Sequence, residues 1–227
     1  MVLWCSLGKK EVPHECDCRG LFIVHHFVDF AGPHRGSGCR HQGQHGKYVR
    51  WGIVLGAPCL GHHGQHLGAG NDYIDAYDNA VVDAGTGDDT VTTYSHATVS
   101  AGDGDDHVRT NDYSVVDGGA GDDAIQVGGS STVTGGAGDD YIKVTGDNST
   151  INFAKGDGSD VVRADDGSDS VDFSISGYSQ DDVIVTQQPG RTTVSFKGSG
   201  DSLVFDHGSN GSARLSFADH TSVDIRA

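Results

Sequence analysis

Six aspartates stand at fixed places in this chain: Asp72, Asp89, Asp106, Asp123, Asp140 and Asp160. Each closes a Gly-x-Gly-x-Asp pattern followed by any residue and then Val or Ile, and successive spacings are 17, 17, 17, 17 and 20 residues. The glycine pairs are Gly68 and Gly70, Gly85 and Gly87, Gly102 and Gly104, Gly119 and Gly121, Gly136 and Gly138, and Gly156 and Gly158. A carboxylate next to a backbone laid bare by glycine makes an oxygen donor set, with loop carbonyls completing what the side chain begins. Calcium accepts about six to eight oxygens in flexible geometry, whereas magnesium holds to an octahedron and keeps its waters. Zinc calls for Cys or His, and only His107 lies near one of these loops. The residue types point to calcium.

The charge balance agrees with a cation as partner. Residues 67–227 hold 8 basic and 28 acidic residues, a net charge of −20, and every one of those acids is Asp. A merely solvated acidic surface would mix Asp with Glu. Exclusive Asp fits a short carboxylate set beside tight glycine turns. Such a charge argues against nucleic acid or an anionic membrane as a partner. All five cysteines lie before residue 60, so the repeat region is built without disulfides. No apolar run is long enough to span a bilayer; the best, residues 21–30, is broken by His25, His26 and Asp29. The opening residues do not read as a signal peptide, since the basic residues follow their only early apolar stretch.

A fixed short period is the mark of a solenoid, in which each repeat is one coil stacked on the last. In the fourth repeat, residues 118–123 are too rich in glycine for strand and form a loop. Residues 124–127 alternate as a short strand, residues 128–130 turn, and residues 131–134 make a second strand. Stacking the coils sets Ile74, Val91, Val108, Ile125 and Ile142 in one inward file. The facing file is Val82, Val99, Val116, Val133 and Ile151, flanked by Ala76, Thr93, Thr110, Val127 and Val144 and by Ala80, Ala97, Ser114 and Ser131. The core is thin. Loops in register would also bring like charges together, so apolar burial alone does not hold the stack and a cation between loops supplies the missing term.

These repeats resemble the nonapeptide Gly-Gly-x-Gly-x-Asp-x-aliphatic-x of the RTX family of secreted bacterial proteins. They stand as GGAGDDAIQ (118–126) and GGAGDDYIK (135–143), with looser copies LGAGNDYID (67–75), AGTGDDTVT (84–92), AGDGDDHVR (101–109) and KGDGSDVVR (155–163). The resemblance implies a parallel β-roll with calcium between neighbouring loops, held by the six aspartates and the carbonyls of the paired glycines. It also implies export by a type I secretion apparatus and folding outside the cell. Two departures stand out. The first glycine is Leu67, Ala84, Ala101 or Lys155 in four copies, so that position need not be left-handed. The second half-coil carries Asn79, His96, Tyr113, Ser130 or Asn148 at its bend and no Gly-x-Gly-x-Asp. One row of calcium on one edge is expected, with five gaps between six loops.

Beyond residue 163 the period lapses. Strands are expected at residues 171–175, 183–185, 192–196, 203–205, 214–217 and 223–225, with turns at Gly177, Pro189-Gly190, residues 198–200 and residues 208–211. This segment, residues 164–227, is read as an antiparallel-like β cap over the open end of the roll. It is similar to the haemolysin-type calcium-binding related segment that often follows RTX repeats, with His220 where that segment usually has Gly. His207 and His220 read as lone surface histidines. Residues 1–66 hold nine of the 13 histidines and all five cysteines without a sustained period or a strong metal pattern, and are read as an unassigned leader, disordered or spurious.

The fold expected is all-β: a parallel β-roll of 17-residue coils over residues 67–163 and a β cap. The function expected is calcium binding by a non-catalytic, extracellular folding module, part of a larger exported protein. No Gly-x-Ser-x-Gly elbow or other catalytic constellation appears. The alternative is an accessory module of a secreted enzyme, such as a polysaccharide epimerase, protease or lipase, or of an adhesin. A polysaccharide partner would call for an aromatic row on a strand face; Tyr73 and Tyr141 are separated there by Thr90, His107 and Ala124.

Overall fold

The structure is a computed structural model, and it describes residues 48–50, 64–164, 170–207 and 211–226. The chain divides into two compact units, Met1–Cys39 and Arg40–Ala227, and every described residue belongs to the second. The leader read over residues 1–66 lies outside the described residues except for two short strands. These are β1 (Tyr48–Arg50) and β2 (Gly64–His66), which sequence pattern did not show.

From residue 73 onward each coil contributes two strands, one to each of two sheets. They are β3 (Tyr73–Asp75) and β4 (Val81–Thr86), β5 (Thr90–Thr92) and β6 (Thr98–Asp103), β7 (His107–Arg109) and β8 (Val115–Ala120). Then follow β9 (Ala124–Val127) and β10 (Thr132–Ala137), β11 (Tyr141–Val144) and β12 (Ser149–Ala154), β13 (Ser159–Ala164) and β14 (Ser170–Ser176). After a short 3₁₀ turn at Gln180–Asp182 come β15 (Val183–Gln188), β16 (Arg191–Phe196), β17 (Ser202–Asp206), β18 (Ser212–Phe217) and β19 (Ser222–Arg226). One sheet runs β1-β3-β5-β7-β9-β11-β13-β17-β16-β15, the other β19-β18-β14-β12-β10-β8-β6-β4-β2. This is a parallel β-roll.

The alternation of branched and polar residues is what lets two thin sheets face each other. Ile74, Val91, Val108, Ile125 and Ile142 are paired strand to strand and fully buried, as are Val82, Val99, Val116, Val133 and Ile151 opposite them. Even polar members of the flanking files, Thr93, Thr110, Ser114 and Ser131, are buried, and Ser114 and Ser131 pass hydrogen bonds from coil to coil. The ladder bonds between coils satisfy the backbone, which a stack this thin could not leave unpaired.

The spacing of 20 residues before Asp160 has two sources. Strand β12 pairs with β10 at an offset of 18, which places one extra residue in the turn at residues 145–148. Strand β13 pairs with β11 at an offset of 20, so two more lie in the loop at residues 154–158. There the N–H of Ala154 donates to Asp157 Oδ2 at 2.6 Å, folding the surplus into a tight turn.

Parallel stacking continues past residue 163. Strand β14 extends one sheet beyond β12, β18 adds to β14, and β17 adds to β13. Antiparallel pairing enters only at the outermost strands, β15 with β16, β16 with β17, and β18 with β19. Here the core changes from Val and Ile to rings: Phe153 stacks on Phe196, Tyr178 stacks on Phe196, and Phe173 meets Phe205 edge-on. His207 corrects the surface reading: it is 1% exposed, packed beside Phe205, with Nε2 3.1 Å from the buried Thr192 Oγ1. It directly follows β17 and continues the alternation of Leu203 and Phe205, which points it inward. His220 is exposed, on a turn with φ 66°, the left-handed conformation that glycine would favour.

Candidate metal sites between the loops

The six repeat aspartates form a file along one edge of the roll, and all are buried, at 1–3% exposure. They are joined by one bond repeated five times. The backbone N–H of Asp72 donates to Asp89 Oδ1 at 2.6 Å, Asp89 to Asp106 at 2.7 Å, and Asp106 to Asp123 at 2.8 Å. Asp123 donates to Asp140 at 2.9 Å and Asp140 to Asp160 at 3.1 Å. The longer last interval therefore keeps Asp160 in the file.

The second oxygen behaves differently. Oδ2 of Asp89, Asp106, Asp123 and Asp140 is buried with no hydrogen-bond partner. An ionised carboxylate oxygen left so is costly, because it has given up water and gained nothing. Burial is the main cause that pushes these groups upward from 3.8: Asp89, Asp106 and Asp140 to about 6, Asp123 to about 7 and Asp160 to about 8. Neighbouring aspartates push the same way, while the backbone N–H bond pulls each value down. Burial and mutual repulsion therefore load the file electrostatically.

All twelve paired glycines have positive φ, from 97° at Gly68 to 149° at Gly138. Their lack of a side chain matters as much as their conformation. A methyl group at Gly119 would lie 2.0 Å from the carbonyl oxygen of Gly102, and one at Gly121 would lie 2.3 Å from that of Gly104. Carbonyls of one loop are thus laid directly against the next. The first position of the motif has no positive φ in any copy, so Leu67, Ala84, Ala101 and Lys155 meet no backbone strain there, whereas a methyl group at Gly118 or Gly135 would lie 2.3 or 2.2 Å from Oδ2 of Asp123 or Asp140. Gly156 stands apart: a methyl group there would meet nothing within 4 Å, because the surplus turn lifts it out of the file. Gly158 is back in register against the carbonyl of Gly138.

A second ladder, which the motif itself did not mark, runs along the outside of the loops. Asp88 N–H donates to Asn71 Oδ1, Asp105 to Asp88, Asp122 to Asp105, Asp139 to Asp122, and Ser159 to Asp139, at 2.9–3.2 Å. The inner file accepts from the preceding coil and this outer file from the following one. Each pair of loops is stitched in both directions. The Asp-Asp doublets in four of the six copies were the signal for it.

The file ends at a leucine. Strand β17 lies on β13 with Leu203 opposite Asp160, and Leu203 is fully buried. Its approach loop is held to the last repeat by Ser202 N–H to the Gly158 carbonyl at 2.9 Å and Gly156 N–H to Asp201 Oδ2 at 2.8 Å; the Tyr178 hydroxyl also donates to Asp201. A seventh loop is present without a seventh carboxylate in the file.

Among the described residues no three His, Cys, Asp or Glu side chains converge on one point. A cation here would be held by loop carbonyls with one or two carboxylates, the donor set that suits calcium and does not suit zinc. The carboxylates along the opposite edge, Asp78, Asp112 and Asp147, each accept a backbone N–H of the next coil but are exposed. Tyr73 and Tyr141 sit four strands apart on the outer face, with Thr90, His107 and Ala124 between them in register.

No protein-family model matches the chain, and no curated protein matches it. Among solved structures it is similar to the extracellular lipase LipA from Serratia marcescens, at 16% identity with a TM-score of 0.35. The match covers 67% of this chain and spans 39% of that lipase. No helix among the described residues is long and apolar enough to cross a membrane.

Proposed function

We propose that residues 67–163 bind calcium ions in a single row, one in each gap between successive loops. The roll is then a calcium-dependent folding module of a secreted bacterial protein, exported through a type I apparatus and non-catalytic in itself. The observation that carries this reading is the file of buried carboxylates whose Oδ2 atoms at Asp89, Asp106, Asp123 and Asp140 have no partner, in loops whose glycine carbonyls lie directly against the next loop.

The holding residues are Asp72, Asp89, Asp106, Asp123, Asp140 and Asp160 with the carbonyls of the paired glycines. A bound divalent ion supplies the positive charge that cancels repulsion along the file. The chain's own part is positional. Each Oδ1 is fixed by the neighbouring backbone N–H, so Oδ2 is the oxygen left to meet an ion. Loop sites of this kind bind in the weak extracellular range, roughly 10⁻⁴–10⁻³ M. At such affinity the chain stays unfolded where calcium is scarce and closes where it is abundant.

Circular dichroism of the protein in EGTA, then in millimolar calcium or magnesium, tests this. Disorder in EGTA, β-structure with calcium and little response to magnesium are the expected results. A spectrum indifferent to all three overturns the reading.

A further inference from the structure

The edge of the roll opposite the aspartate file carries rings. Tyr77 stacks on Tyr94 with centroids 5.5 Å apart, and His96 stacks on Tyr113 at 5.1 Å and 16°. Tyr113 is the most exposed large hydrophobic residue described, at 59%. It also has φ 58°, in a file with Asn79, His96, Ser130 and Asn148, all between 55° and 63°. Asn suits that conformation, whereas a bulky ring there is an outlier. Backbone strain retained under an exposed ring is a reason to look for a role.

The ring stack stops at Tyr113. His96 covers the face toward the second coil; on the fourth coil the next residue in the file is Ser130, preceded by Gly128 and Gly129. The other face of Tyr113 therefore looks over a missing rung. Asp112 reaches toward that same coil, its Oδ1 accepting the Gly129 N–H at 2.8 Å. Beyond the gap stands the exposed Asn148 of the fifth coil. An aromatic ring and a carboxylate on the third coil, a hydroxyl on the fourth and an amide on the fifth thus stand on successive coils, each step roughly 4.8 Å.

We infer that this step in the ring stack is a subsite for one pyranose unit of an uncharged glycan. The apolar face of the sugar continues the stack on Tyr113, and its hydroxyls reach Asp112, Ser130 and Asn148. The exposed carboxylates of Asp78, Asp112 and Asp147 along this edge select against uronates. The site needs the fold and not the metal file, so its failure and that of the calcium reading are separable.

The test is calorimetric titration of the full chain in calcium with cellohexaose, chitohexaose and oligogalacturonate, with circular dichroism confirming a folded roll. Binding of a neutral hexasaccharide is expected, weakened at least about tenfold in Tyr113→Ala, the scale of one lost aromatic contact. Ser130→Tyr provides the second arm. It fills the missing rung from a backbone that Tyr113 already shows a tyrosine can adopt, so it should block binding with the roll intact. No binding by the folded wild-type chain, preference for oligogalacturonate, or unaltered binding by either variant overturns the inference.

Discussion

The backbone N–H of Asp123 lies 2.9 Å from Oδ1 of Asp140, seventeen residues on, while Oδ2 of Asp140 has no partner. One oxygen is spent on holding two coils together and the other is buried with nothing to bond. Asp123 stands in the same relation to Asp106, so every interior aspartate belongs to the loop on either side of it.

Replacing Asp123 with Ala should therefore disturb two gaps at once. Titration calorimetry should show a loss of more than one ion per chain from the five that the gaps allow, and a higher calcium concentration should be needed for folding. Loss of a single site with the rest unaltered would mean that the gaps do not share ligands.

Two glycine substitutions separate conformation from space. Gly119→Ala must place a methyl 2.0 Å from a backbone oxygen at φ 115°, whereas Gly156→Ala meets nothing within 4 Å at φ 98°. Both bear the left-handed penalty of about 1–2 kcal/mol. Only the first must also push coils apart, so thermal melts in calcium should show a far larger loss for Gly119→Ala. Equal losses would contradict the close approach of the loops.

Leu203→Ala tests the end of the file. The side chain is fully buried against the last repeat, and truncation should cost about 2–5 kcal/mol in chemical unfolding with calcium present. A change below about 1 kcal/mol would show that the terminal loop does not close the roll.

Protons should partly replace metal in the stripped protein. The folded values of about 6 to 8 for Asp89, Asp106, Asp123, Asp140 and Asp160 lie above the ordinary 3.8, so the folded chain takes up protons that the unfolded chain does not. That contribution is fully present below about pH 4 and lost as pH rises through 6 to 8. Metal-free protein should gain β-structure when taken from about pH 8 to about pH 5, as followed by circular dichroism; a loss over that range would refute the assignment.

Much of this architecture was legible in the amino-acid sequence because period and residue type are local properties. The spacing of Asp89, Asp106, Asp123 and Asp140 gave the coil length, and alternation gave Ile125 and Val133 as facing core residues. The strands after residue 164 were legible too, but alternation says nothing about which neighbour a strand chooses. That β17 and β18 join their sheets in parallel, setting Leu203 over Asp160, depends on long-range register. His207 looked solitary for the same reason: a histidine's partner, here Thr192 on an adjacent strand, is not written near it. The bend residues His96, Tyr113 and Ser130 were legible, but that the first two stack face to face depends on side-chain conformation, which spacing does not give.

A uniform repeat carries a hazard of its own. Coils of seventeen residues are interchangeable, so a chain that docked one rung out of place would rebuild most of the same contacts. The interval of twenty before Asp160, with its tucked turn at Asp157, has no second place to fit. That irregularity acts as an alignment key, making the fully matched stack the one that closes against Leu203.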